Sequence, residues 1–181
     1  KVYDPRTSTT AWSDNPALCV RDYLTATGYG LGEAVANIND TAFTTAANIC
    51  DETNTDAGTT RYTANGAFTT ATTPQELLEG LITSMGATLW YTQGAWNVKA
   101  AKWTAPVLDL NEDDLRSGIS LATRHSRRDN FNTVNGTFRG DESNWQVTDF
   151  PPVTNAAFVT ADGGLESTLD MDLPFTDNSI E

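Results

Sequence analysis

Thr73-Pro74-Gln75-Glu76-Leu77-Leu78 opens the stretch whose reading decides the fold, and the reading extends forward to Lys99 and back to Tyr62. Thr73 can accept from the orphan backbone N–H near Glu76, Glu76 can reach back to Thr73, and Pro74 falls where a missing N–H costs nothing. This pattern predicts a helix from Thr73 to Gly86. Its apolar residues Leu77, Leu78, Leu81, Ile82 and Met85 recur at helical period and make one stripe.

Two runs of β-formers follow, Thr88 to Thr92 and Ala95 to Lys99, separated by the turn dipeptide Gln93-Gly94, so a hairpin is expected directly after the helix. Upstream, Tyr62 to Phe68 reads as a short strand with an Asn65-Gly66 kink. The central unit is therefore expected to be β-α-β-β, with the helix stripe buried on the hairpin sheet. Each large side chain so buried would contribute roughly 1.5–3 kcal/mol.

The chain has 181 residues, enough for one sizeable domain or two small ones without metals or disulfides. Its 11 basic and 24 acidic residues give a formal net charge of −13, which repels phosphate backbones and anionic membranes and excludes sequence-independent nucleic-acid binding. No apolar run approaches the ~20 residues of a membrane span, and the first residues carry neither the basic nor the apolar region of a signal peptide. A chain that begins at Lys1 and stops at Ser179-Ile180-Glu181 is expected to be an internal fragment of a longer polypeptide.

The N-terminal Lys1–Thr10 segment, around Asp4-Pro5-Arg6, suits an entry strand or linker ending in a turn. Ser13-Asp14-Asn15-Pro16 then starts a helix with Ala17, Leu18, Tyr23 and Leu24 on its apolar face, ending at Gly28. Asp40 or Thr41 can cap a second helix carrying Ala42, Phe43, Ala46, Ala47, Ile49 and Cys50. Cys19 and Cys50 read either as buried thiols or as a disulfide between the two helices.

After the hairpin, Trp103 to Leu110 reads as a strand interrupted at Pro106. Asn111-Glu112-Asp113-Asp114-Leu115 reads as a helix start whose carboxylates suit the dipole, without the glycine and ligand spacing of a calcium loop. From Ile119 onward the signals are strand and turn: Phe131 to Phe138 broken at Asn135-Gly136, then Ala157-Phe158-Val159 and Leu169 to Leu173 joined as a hairpin by Asp162-Gly163-Gly164. Asp170 and Asp172 fall on one strand face, expected to be wet.

The expected fold class is thus α+β: a helical subdomain over 1–60, a β-α-β-β subdomain over 61–110, and a β-rich segment over 111–181 expected to be incomplete at its C-terminus.

Catalytic constellations are not evident. The single histidine, His125, sits in Arg124-His125-Ser126-Arg127-Arg128-Asp129, where Ser126 would point to the opposite face of a strand. There is no G-x-S-x-G, no phosphate-binding glycine loop and no metal-spaced Cys/His set, so no catalytic residue, cofactor or metal is assigned. Carboxylate pairs are inevitable among 24 acids and carry little weight. Trp90, Trp96 and Trp103 could stack sugars, or pack into a core or interface. Sequons at Asn39 and Asn135 matter only on a secretory route. Arg124, Arg127 and Arg128 form the one local basic group, destined for surface ion pairs or for an acidic surface across a subunit contact.

In order along nearly the whole chain, Val2-Tyr3-Asp4-Pro5-Arg6, Trp12-Ser13-Asp14-Asn15-Pro16-Ala17-Leu18-Cys19, Tyr23-Leu24, Ala46-Ala47-Asn48-Ile49-Cys50-Asp51, Tyr62 to Phe68 and Thr73-Pro74-Gln75-Glu76 resemble one protein family. Further matching stretches are Trp96, Asp113-Asp114-Leu115, Ser126-Arg127-Arg128-Asp129-Asn130-Phe131-Asn132, Asp149-Phe150-Pro151-Pro152 and Asp162-Gly163-Gly164. The family is that of the central tail-tip, or hub, proteins of long-tailed bacteriophages, which includes the lambda tip attachment protein J and its prophage relatives. The resemblance implies a non-enzymatic virion component assembled in the host bacterial cytoplasm: part of a trimeric hub that closes the tail tube and links it to the host-recognition parts. Its implied partners are copies of itself and other tail-tip and tail-tube proteins; the charge balance and hydropathy lead to the expectation of no nucleic acid and no membrane insertion. In the family Leu173-Pro174-Phe175-Thr176 is followed by further chain, including helix, and here it is not. The competing class is a glycan- or cell-wall-binding or cleaving module.

Overall fold

The structure is a computed structural model that describes residues 1–54, 58–114, 116–118, 120, 126 and 129–177. It is mixed helix and strand, with four α-helices and three small sheets among the described residues.

Strands β1 (Val2–Asp4) and β2 (Thr9–Ala11) form an antiparallel hairpin at the start of the chain. Helix α1 (Pro16–Thr25) follows, with Asn15 accepting from the backbone N–H groups of Ala17 and Leu18 and Pro16 in the first turn. Helix α2 (Asp40–Cys50) is capped by Asn39 rather than by Asp40 or Thr41. Asp40 serves instead as the negative charge of the first turn. α1 and α2 pack on each other, and Leu18, Leu24, Phe43, Ala47 and Cys50 are fully buried at or near that contact.

Helix α3 (Pro74–Thr83) carries the full reciprocal capping box between Thr73 and Glu76. Leu77, Leu81 and Met85 are buried, and Leu78 and Ile82 pack at the edge of the core. The hairpin β3 (Thr88–Thr92) and β4 (Ala95–Lys99) has the expected ends, and Gln93 and Gly94 both take positive φ, 52° and 80°, as a two-residue primed turn requires.

Two details of the expected central unit are corrected. Tyr62 to Phe68 is not a strand: its backbone bonds go to separate loops and helix ends, from Tyr62 to Cys50 O, from Ala64 to Asp14 O and from Asn65 to Phe175 O. No ladder forms because, among the described residues, no strand lies alongside. The element covering the hairpin is α2, which packs on β4, while α3 packs chiefly on α1. The apolar period placed the α3 stripe in the core correctly and left open which neighbour would receive it.

One apolar cluster runs from Val2 to Ala100, with Phe175 packed against it from the far end of the chain. Phe175 lies over Gly66 and Gly80, where a Cβ would come within 2.7 Å and 2.8 Å of its ring. Asp177 accepts from Thr63 Oγ1 at 2.6 Å and Asn65 Nδ2 at 2.7 Å, so the last described residues are stitched to the first half of the molecule.

Beyond the hairpin, Trp103 to Leu110 is not a strand; among the described residues its backbone finds no backbone partner, and Pro106 removes one donor. Glu112–Asp114 is a single 3₁₀ turn. The C-terminal sheet is centred on β5 (Thr133–Phe138), which runs straight through Asn135-Gly136. On one side β5 pairs with β6 (Thr148–Asp149) and β7 (Val153–Thr154), both antiparallel; on the other it pairs in parallel with β8 (Thr168–Asp172). Ala157-Phe158-Val159 is not a strand of a hairpin but part of α4 (Ala156–Ala161), started by Asn155, whose side chain accepts from the N–H groups of Ala157 and Phe158. The cap outweighed the strand propensity of Phe158 and Val159.

Candidate functional site

Arg124, Arg127, Arg128 and His125 lie outside the described residues. Elsewhere the structure gives several cations local partners: Arg6 meets Asp4 and Asp51, Arg21 meets Asp40, and Arg61 and Lys102 both meet Glu52. Cys19 and Cys50 form no disulfide and sit in different settings. Cys50 is buried 3.8 Å from Met85 Sδ, and burial, with Asp22 and Asp14 nearby, pushes the Cys19 thiol up to about 11.

The tryptophans do not build a sugar platform. Trp90 pairs with Asn97 and Trp96 with Tyr91, so successive register positions send the two indoles to opposite faces of the hairpin. Trp96 packs edge to face on Tyr91 at 5.4 Å and joins the core, and Trp103 stands 83% exposed on the extended stretch.

The carboxylates of the C-terminal sheet do come together. Register places Asp149, Thr137 and Asp172 in one row across β6, β5 and β8, and Asn135 beside Asp170 in another. An open groove of about 680 Å³ at this sheet is bordered by residues of both strand faces, Phe150, Pro152 and Met171 as well as Asn135 and the three aspartates. Asp149 and Asp172 stand two strand spacings apart, roughly 9–10 Å at Cα. Asp149, Asp170 and Asp172 are all exposed, and Asp172 accepts from Thr137 Oγ1 at 2.6 Å. Among the described residues no group of three or more metal-ligating side chains converges.

The opposite face of the same sheet is apolar. Val153, Val134 and Leu169 share a row, and Met171 stands two residues along β8 on the same face. α4 links β7 to β8 at the end of the sheet where Thr154 and Thr168 both lie beside Thr133; it buries none of its own residues, and Val153 remains 65% exposed. Phe131, Trp145, Val147, Phe158 and Leu165 are also exposed in this part of the chain, as are Val107, Leu108 and Leu110 on the extended stretch. Apart from Phe138, no large apolar residue of the C-terminal third is buried among the described residues.

No protein-family model and no curated protein matches this chain.

The acidic face was legible in the Asp170-Met171-Asp172 alternation. The apolar face was not, because Val134, Val153 and Leu169 come from three separated segments whose alignment depends on register. The signal that could have found it is the alternation of Leu169 and Met171 with those same aspartates.

Proposed function

We propose that this chain is a structural segment of a bacteriophage or prophage tail tip, part of the hub that closes the tail tube and links it to the host-recognition parts. It acts by assembly rather than catalysis, and its partners are copies of itself, as a trimer, and the adjoining tail-tip and tail-tube proteins in the virion. The observation that carries this reading is the C-terminal half: a small sheet that leaves Val153, Leu169 and Met171 exposed on its apolar face, a short helix that buries none of its residues, and an exposed apolar stretch from Trp103 to Leu110. Such surface is costly in water and is the expected state of a subunit removed from its assembly. The ordered resemblance along the chain supports the same reading.

Arg124, Arg127 and Arg128 fit this role as a basic group facing carboxylates of a neighbouring copy, since subunits at −13 must offset their mutual repulsion. The glycan-module reading has the acidic groove in its favour, but three exposed carboxylates without a stacked indole make a poor glycosidase centre.

Electron microscopy of intact particles labelled with an antibody to this segment tests the proposal. Label is expected at the distal end of the tail; purified particles that lack it, or carry it elsewhere, overturn the reading. Arg127→Glu with Arg128→Glu in the full-length protein is expected to reduce trimer assembly, and unchanged assembly and infectivity would remove the arginine group from the contact.

A further inference from the structure

A second cavity, of about 360 Å³, opens beside α1 and is lined by Tyr23, Tyr29, Phe68, Phe175 and the carboxylate of Asp22, with Leu81 among its aliphatic walls. The rings stand in different planes. Tyr23 and Phe68 meet at 6.0 Å and 89°, and Tyr29 and Phe68 at 6.4 Å and 54°. Tyr29 and Phe68 are 49% and 42% exposed, so the mouth is open to solvent, while Tyr23 is buried behind them.

Asp22 is the charged group of this cavity. Its Oδ2 accepts the Tyr29 hydroxyl, and among the described residues no lysine or arginine pairs with it, in contrast to Asp4, Asp40 and Asp51. The same bond turns the Tyr29 hydroxyl toward Asp22 and raises the phenol to about 12.

We propose that this cavity is a binding site for a quaternary ammonium cation. Aromatic faces attract a cation through their quadrupole, and the Asp22 carboxylate, whose bonded partner is the neutral Tyr29 phenol, adds direct charge attraction. The rest of the wall selects the type of cation. A primary ammonium seeks three hydrogen-bond acceptors, whereas here the side-chain acceptors are confined to Asp22 and the Tyr29 oxygen bonded to it, and the rest of the wall is aromatic, aliphatic or the Cys19 thiol. A trimethylammonium head needs no acceptor and loses less on leaving water. A chain at −13 also concentrates cations near its surface.

The test is titration of the full chain with choline chloride, followed by NMR of aromatic and methyl signals, beside the uncharged isostere 3,3-dimethyl-1-butanol at matched salt. Choline is expected to bind saturably in the millimolar range or tighter, with the alcohol at least about tenfold weaker and the perturbed signals confined to this cavity. Phe68→Leu and Asp22→Asn are each expected to weaken choline by roughly 2- to 30-fold. Absence of saturation, equal affinity for the alcohol, tighter binding of Nα-acetyl-lysine amide, or variants that bind choline as the parent does would each overturn the proposal. The choline-against-alcohol comparison needs only the parent chain, so it decides the matter even where a variant folds poorly.

Discussion

Arg21 holds Asp40 through both carboxylate oxygens, Nε to Oδ1 at 2.8 Å and Nη2 to Oδ2 at 3.1 Å, and so clamps the middle of α1 to the first turn of α2. The guanidinium side chain is 4% exposed and also lies over the Tyr3 ring at 4.9 Å, while the Asp40 side chain is 42% exposed. Removing the carboxylate strands a buried cation, a larger effect than loss of a surface pair. Because Asp40 is itself partly solvated, Asp40→Ala is expected to cost about 1–3 kcal/mol in urea unfolding. Asp113→Ala, on an exposed turn, should stay within about 0.5 kcal/mol. Equal effects would show that the clamp contributes nothing beyond an ordinary surface charge.

The buried stripe of α3 gives a graded expectation. Leu81→Ala should destabilise by about 2–5 kcal/mol, since the side chain is 7% exposed in the shared core. Leu78→Ala, at the core edge, should cost less. Chemical denaturation of both variants checks the order, and a reversed order would contradict the observed facing of the helix.

Cys19 should react slowly despite lying only part-buried. With its thiol pushed up to about 11, the thiolate fraction at pH 8 falls roughly 10²-fold below that of an unperturbed cysteine. Iodoacetamide labelling at pH 8 should therefore be slow in the folded chain and accelerate for both thiols in denaturant. Rapid labelling of Cys19 in the folded state would contradict its placement.

The sequence showed most clearly those elements whose cause is local. Thr73 and Glu76 cap α3, Pro16 starts α1, and Gln93-Gly94 turns the hairpin, each through atoms within four residues. What it concealed depends on distant partners. Tyr62 to Phe68 has strand-forming residues but its backbone is claimed by Cys50, Asp14 and Phe175, and Ala157-Phe158-Val159 becomes helix because Asn155 supplies two acceptor bonds. The quaternary-ammonium cavity is of the same kind: Asp22, Tyr29 and Phe68 are unremarkable separately, and only the packing of α1 against the following loops assembles them.

Acid should weaken the junction of the N-terminal turn with α2. Arg6, bonded to Asp4 and also to Asp51, holds the Asp4 carboxyl below its usual range. A carboxylate depressed in the folded state contributes stability that is complete above its unfolded pKa of about 3.9 and is lost as pH falls through the lower folded value. Stability should therefore drop more steeply below about pH 4 in the parent than in Arg6→Ala, which has already lost the pairing. Parallel pH profiles would show that the pairing adds nothing.

Gly136 sits where β5 meets β8, and a Cβ there would lie 1.8 Å from Met171 O and 2.8 Å from the Phe150 ring. The first contact is backbone, so it cannot be relieved by turning a side chain, and Gly136→Ala must push β8 away from β5. The sheet lends the main core little: Phe175 is the only apolar residue beyond Ala101 packed there among the described residues. Loss of the β5–β8 pairing should therefore strip hydrogen-exchange protection from Thr133–Phe138 and Thr168–Asp172 while leaving the amides of α1 and α2 protected. Equal loss of protection in α1 and α2 would show instead that Phe175 and the bonds of Asp177 to Thr63 and Asn65 couple the sheet to the core as one cooperative unit.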